Sequence, residues 1–171
     1  MNILALESSA VAASVALCEE ERLIAQSFQH SGLTHSRTLM PMTEDLLKNC
    51  GFTLQEVDLI AVAAGPGSFT GLRIGVAAAK GLAWPGQKPC AAVSTLEAMA
   101  WPLAHTGQII VPVMDARRSQ VYNAVFHSDG QRLHRLIPDR AVSLEQLAAD
   151  LEDIPSPQIL VGDGAQLCYN H

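Results

Sequence analysis

The sequence has no hydrophobic segment long enough to cross a membrane. None of the apolar runs in its 171 residues approaches the roughly 18 that a helix needs to span a bilayer. We also expect no secretory signal, because a strand-like pattern begins as early as Ile3. The expected location is therefore the cytoplasm, without membrane attachment.

Cysteine and histidine do not occur in the groupings that bind metals. The cysteines form no CxxC pair, which predicts reduced and mostly buried thiols at Cys18, Cys50, Cys90 and Cys168. His30 and His35 flank a predicted loop, the other histidines are scattered, and none has a companion at zinc-ligand spacing. We therefore expect no metal site, and spacing assigns no Ser/His/Asp or Cys/His catalytic set.

Basic residues are scarce. The chain has 11 Lys and Arg against 17 Asp and Glu, a formal net charge of −6. Residues 1–102 and 103–171 are both acidic, so neither half has the positive surface of a nucleic-acid-binding module. Any role on RNA would then depend on a partner that supplies the positive charge.

Residues 1–104 have the pattern of a first α/β lobe. The predicted elements are strands at 3–7, 14–18 and 23–28, a helix up to residue 50, a strand at 58–64, a helix at 76–83, a strand at 90–94 and a helix at 95–104. The first helix has Leu39, Met42 and Leu46 on one face and Gly51 as its stop signal. Pro41 is compatible with this helix only near its start or at a kink.

Residues 105–171 repeat the same order. Three strands are predicted in IIVPVMDAR, QVYNAVF and QRLHRLI, followed by a helix from Ser143 and a strand in QILVGDG. The sequence stops where a further helix is expected, so we predict a second lobe that is truncated at its C-terminus. Glu7 and Asp115 follow the first strand of their respective lobes.

Two βββαβα lobes with a carboxylate after each first strand resemble the actin-like (ASKHA, RNase H-like) superfamily. In that superfamily slender bends let backbone N–H groups approach the nucleotide phosphates. Here no glycine is found in either bend, and two long cations occupy the second. We therefore predict at most a vestigial nucleotide or anion site, formed by Glu7, Ser8, Ser9, Asp115, Arg117 and Arg118.

The glycine-rich stretch AVAAGPGSFTGLRIGVAAAKGLA does not match a nucleotide-binding loop. No lysine follows a glycine as in a P-loop, and no acidic residue lies where a dinucleotide-binding fold needs one. Instead, Gly67, Gly71, Gly75 and Ala79 recur every four residues, which lays them along one helix face. Such a face predicts close approach, either to the lobe's own sheet or to another protein.

Three segments resemble one family closely: GPGSFTGLRIGVAAAKGLA, VSTLEAMA and PVMDARRSQVY. In this order and spacing they are similar to the TsaB (YeaZ) family, whose members take part in threonylcarbamoyladenosine synthesis on tRNA. The resemblance implies a non-catalytic subunit that pairs with the related catalytic subunit TsaD, is joined by the ATPase TsaE, and forms homodimers when alone. It implies tRNA contact only through the complex and no required cofactor, with ATP or ADP at the TsaD junction left open.

The resemblance also implies where the partner binds. The expected interface lies on the helices of the first lobe, at Leu39, Met42, Leu46, Phe69, Gly71, Leu72, Arg73, Gly75, Val76 and Ala79. TsaD-like proteins hold a metal with two histidines, and Thr95 and Met99 stand at the matching places here. The competing hypothesis is an enzyme, either a weak nucleotide hydrolase or a glycoprotease-like peptidase, that would use Glu7 or Asp115.

Overall fold

The first compact unit is an α/β lobe with one five-stranded sheet. The computed structural model describes residues 1–154 and 157–170, and its first unit is Met1–Val93. The strands follow the order β3-β2-β1-β4-β5, with β1 antiparallel to β2 and parallel to β4. The elements are β1 (Asn2–Glu7), β2 (Ala13–Glu19), β3 (Arg22–Gln29), α1 (His35–Asn49), β4 (Leu59–Gly65), α2 (Phe69–Ala83) and β5 (Cys90–Ser94).

The core of this unit lies between the sheet and its two helices. Alternate residues of the strands, such as Leu4 and Val15, are buried, and the Leu39, Met42 and Leu46 face of α1 packs with them. Helix α1 contacts β2, β3 and α2, while α2 contacts β4 and β1. The helix runs from His35 through the exposed Pro41, so the proline lies in its interior rather than at its start.

The second unit, Ser94–His171, repeats the topology of the first. Its sheet has the order β8-β7-β6-β9, in which β6 is antiparallel to β7 and parallel to β9, as β1 is to β2 and β4. The elements are α3 (Thr95–Ala100), β6 (Ile109–Arg117), β7 (Gln120–Ser128), β8 (Leu133–Ser143), α4 (Leu144–Glu152), β9 (Gln158–Val161) and α5 (Ala165–Tyr169). The predicted duplicated α/β lobes are confirmed, and α5 adds a short helix after the last predicted strand.

The division between the units lies between Val93 and Ser94, earlier in the chain than the expected division at 104/105. The reason is helix α3, which packs against β6 and β7 rather than against the first sheet. The Arg135 guanidinium on β8 lies 2.6 Å from the Glu97 carboxylate on α3. Helix α3 ends at Ala100, and a 3-10 turn, in which Pro102 interrupts the α-helical hydrogen bonding, follows it.

The chain shows no membrane-spanning helix among residues 1–154 and 157–170, since none there combines the necessary length with apolar character. The cysteines are free thiols. The prediction that they are mostly buried is wrong, because Cys90 is exposed and Cys18, Cys50 and Cys168 are only partly buried.

Candidate functional site

The first carboxylate bend is closed by hydrogen bonds within its own unit. The Glu7 carboxylate accepts the backbone N–H of Ser9. The Ser8 hydroxyl donates to the Gly71 carbonyl at 2.9 Å, and the N–H of Ser68 donates to the Ser9 carbonyl at 2.6 Å. Ser8 and Ser9 each keep 1% of their surface exposed. The bend is therefore covered by the segment that enters α2.

The glycines of α2 are required by this contact. A Cβ atom on Gly71 would lie 2.0 Å from the Ser8 carbonyl oxygen, and one on Gly75 would lie 2.4 Å from the Ser8 hydroxyl oxygen. Gly67 has a positive φ, and its Cβ would lie 2.5 Å from the Ser9 carbonyl oxygen. The Ser68 hydroxyl caps the helix by accepting the N–H of Gly71. The four-residue period thus reflects packing against the lobe's own first bend.

Part of the expected partner interface is therefore corrected. Six of its residues are buried inside the first unit and leave almost no surface for a partner: Leu39, Met42, Leu46, Gly71, Gly75 and Ala79. The physical reason is that a stripe of small or apolar residues on a helix can pack on any close surface. Here that surface is the unit's own sheet and first bend. Phe69 and Arg73 are exposed, and Leu72 and Val76 are partly exposed.

The exposed residues of α2 form one continuous surface, which we call the α2 outer face. It is a shallow groove of about 420 Å³ lined by Phe69, Leu72, Arg73, Val76, Ala77 and Lys80. The Arg73 guanidinium lies 4.4 Å from the centre of the Phe69 ring, a cation–π geometry that orders both side chains. Ala77 and Lys80 were missed from the sequence, although their spacing from Arg73 places them on the same face.

The second carboxylate bend is a strained hairpin turn. Arg117, Arg118 and Ser119 all have positive φ, a conformation that costs L side chains free energy. The Asp115 carboxylate accepts the N–H of Arg117 at 2.7 Å, and its other oxygen lies 3.4 Å from the Arg117 guanidinium. The N–H of Asp115 donates at 3.2 Å to Asp163, a carboxylate that sequence analysis missed.

The places that match the TsaD-like metal ligands are filled by packing. Thr95 is buried at the start of α3. The Met99 terminal methyl packs against Gly162, and a Cβ atom added to Gly162 would lie 2.3 Å from that methyl. Gly162 also has a positive φ and approaches the Val113 carbonyl. This second glycine loop, after β9, corresponds to the loop after β4 that holds the first bend.

Two lobes with one strand order, each with a carboxylate bend after its first strand, define a protein of the actin-like class. Comparison with known proteins agrees. The family model described as "TsaD: tRNA N6-adenosine threonylcarbamoyltransferase" matches residues 22–164. The tRNA threonylcarbamoyladenosine biosynthesis protein TsaB of Bacillus subtilis is 37% identical over 167 residues, which cover 98% of this chain and 73% of that protein. The chain belongs to the TsaB family.

Two further similarities support this membership. The TsaB protein of Escherichia coli is 32% identical over 170 residues, covering 97% of this chain and 73% of that protein. The solved structure of YeaZ from Pseudomonas aeruginosa superposes with a TM-score of 0.80 at 28% identity, covering 94% of this chain and 83% of that one. The predicted family and the actin-like fold are both confirmed.

Proposed function

We propose that this chain is a non-catalytic subunit for threonylcarbamoyl transfer to the adenine next to the anticodon of tRNA. It pairs through the α2 outer face with a TsaD-type transferase in the cytoplasm, and TsaE joins the pair. The observation that carries the proposal is the division of α2 into two faces. Its glycine face is buried against Ser8, while Phe69, Arg73 and Ala77 are exposed on the opposite face.

The composition of the α2 outer face suits protein docking. It combines an exposed phenylalanine with an arginine, two residue types enriched in protein interfaces. Phe69 is 71% exposed, which leaves most of its ring available to a partner. A neighbouring protein that covers the ring and the adjacent Val76 and Ala77 removes this apolar surface from water.

Charges on the adjacent helix favour a self-complementary contact. Helix α1 packs beside α2 and exposes Glu44 and Asp45 as well as Arg37 and Lys48, whereas α2 exposes Arg73. A second copy placed by a two-fold axis can set Glu44 and Asp45 of one chain against Arg73 of the other. A TsaD-type protein with a related lobe can use the same arrangement, so the homodimer and the heterodimer compete for one surface.

The bends support a role without catalysis. The carboxylates of Glu7 and Asp115 each accept a hydrogen bond from a backbone N–H of their own bend. A nucleotide phosphate at the first bend would have to replace the Glu7 carboxylate as the acceptor of the Ser9 N–H. Ser9 is also buried beneath the segment that precedes α2, so a phosphate has no access to it. Thr95 and Met99 replace the imidazoles that hold the metal in TsaD-like proteins, and both are packed. We therefore propose that this chain requires no cofactor, and that any ATP or ADP in the complex is held at the TsaD junction.

Light scattering coupled to size exclusion tests the pairing. The chain alone is expected to elute with the mass of a homodimer, because the α2 outer face then meets a second copy. Addition of an equimolar TsaD-type transferase is expected to convert it into a one-to-one heterodimer. Separate elution of the two proteins at micromolar concentration, with the chain unchanged in mass, contradicts the proposed function.

A further inference from the structure

One segment of this acidic chain contains no acidic residue. The chain has 17 Asp and Glu, yet residues 59–96 contain none and carry Arg73, Lys80 and Lys88. The segment comprises β4, α2, the turn after α2, β5 and the first two residues of α3. Helix α2 and the turn after it therefore carry only positive formal charges, although the protein as a whole is negative. Anionic ligands are attracted to such a segment more strongly than the net charge suggests.

A groove opens at the C-terminal end of α2, within the acid-free segment. We call it the Trp84 groove; it has a volume of about 650 Å³ and is lined by Lys80, Ala83, Trp84, Gln87, Lys88 and Cys90. Lys80 also borders the α2 outer face. The Trp84 indole is 84% exposed, which is unusual for the largest apolar side chain and leaves its ring available for contact.

The Trp84 groove is held in place by local structure. Trp84 begins a 3-10 turn that includes Pro85 and ends at Gln87, which adopts a left-handed conformation. The Lys88 ammonium donates to the Val57 carbonyl at 2.6 Å and to the Gln55 carbonyl at 3.1 Å. These neutral acceptors fix the ammonium without cancelling its charge. The groove thus presents a broad aromatic ring beside a positioned cation.

We propose that the Trp84 groove binds an unstacked nucleotide of an RNA. The base stacks on the indole of Trp84, and Lys80 and Lys88 contact the phosphates on either side. Positive grooves combined with aromatic rings bind single-stranded nucleic acid in this way, because every base offers a π-face. Two of the six lining residues of this groove are lysines, a residue type that is depleted in protein–protein interfaces, and this favours an anionic RNA over a protein here. The inference rests on the proposed role in tRNA modification and adds a direct RNA contact by this chain.

The direct test measures binding of a fluorescein-labelled anticodon stem–loop RNA by anisotropy, using the full chain in complex with the TsaD-type transferase. Trp84→Ala is expected to weaken binding about tenfold, equivalent to about 1.4 kcal/mol. Trp84→Phe keeps an aromatic ring and is expected to restore most of the affinity. Lys80→Gln is expected to weaken binding and to reduce the slope of log affinity against log salt by about 0.7 to 1.

Trp101→Ala is the matched control. Trp101 also follows an alanine and precedes a proline in a 3-10 turn, and it is 59% exposed, but no lysine lies within ten residues of it in sequence. Its loss is expected to leave RNA affinity unchanged. Equal affinities for Trp84→Ala and Trp101→Ala, in complexes that still assemble, overturn the inference. Failure of the complex to assemble would instead contradict the proposed function.

Comparison with free ATP shows whether the groove binds a nucleotide of an RNA or a free mononucleotide. The chain with Trp101→Phe has Trp84 as its one indole, because the sequence contains two tryptophans. Its fluorescence is expected to be quenched by the stem–loop RNA and left nearly unchanged by ATP at the same concentration. Quenching by ATP at least as strong as by RNA would show a mononucleotide site and overturn the RNA proposal.

Discussion

Replacing Gly71 by alanine is expected to lower the free energy of unfolding by about 3 kcal/mol. The new Cβ atom would lie 2.0 Å from the Ser8 carbonyl oxygen, which is backbone and has little freedom to move. The helix or the first bend must then shift, and the hydrogen bond from the Ser8 hydroxyl to the Gly71 carbonyl is strained with it. Urea unfolding followed by circular dichroism measures the loss.

Gly81→Ala is the control on the same helix. Nothing lies within 4 Å of a Cβ added at Gly81, so alanine meets no atom there and improves helix propensity. It is expected to raise the free energy of unfolding by up to about 1 kcal/mol. Opposite signs for the two variants are the predicted result. Equal effects would contradict the tight contact between α2 and the first bend.

Phe69→Ala is expected to weaken pairing with the TsaD-type transferase about thirtyfold, equivalent to about 2 kcal/mol. The substitution removes the largest exposed apolar group of the α2 outer face and the ring that orders the Arg73 guanidinium. Because Phe69 is 71% exposed in the free chain, its loss is expected to change the unfolding free energy by less than about 0.5 kcal/mol. Isothermal titration calorimetry measures the affinity.

Phe28→Ala provides the matched control for pairing. Phe28 is 68% exposed, nearly as much as Phe69, but it lies on β3 at the edge of the sheet. Its truncation is expected to leave the affinity for the transferase unchanged. If both phenylalanine variants bind alike, or if Phe28→Ala has the larger effect, the α2 outer face is not the docking surface.

The glycine period of α2 shows what sequence could and could not predict. Spacing by four correctly indicated a helix with a slender face at Gly71, Gly75 and Ala79, whereas Gly67, predicted on the same face, lies before the helix begins. Periodicity is the same whether the close neighbour is the chain's own bend or another protein. The position of Ser8 decides between them, and it depends on pairing between β1 and β4, which are far apart in sequence.

The Leu39, Met42 and Leu46 stripe was misassigned for the same reason. An apolar helical face predicts burial, but the pattern does not show whether the chain's own sheet or another protein covers it. Here the strands of the first sheet do so. The proposed partner surface carries a mixed pattern of Phe69, Arg73 and Ala77, which no hydrophobic period singles out.

The place of α3 also could not be obtained from periodicity. The repeat of elements suggested that the second lobe begins at its first strand. Contacts of α3 with β6 and β7, and the ion pair between Glu97 and Arg135, place the helix with the second unit instead. The ion pair joins residues 38 positions apart and leaves no local signature in the sequence.

The most direct test of the central claim is reconstituted threonylcarbamoyl transfer to tRNA, with purified TsaD-type transferase and TsaE. Transfer is expected to require this chain, to be undetectable with this chain alone, and to persist with Glu7→Gln or Asp115→Asn in its place. In the structure, each of these carboxylates accepts a hydrogen bond from a backbone N–H of its own bend. Turnover by the chain alone, or loss of transfer in either variant while pairing is retained, would contradict a non-catalytic role.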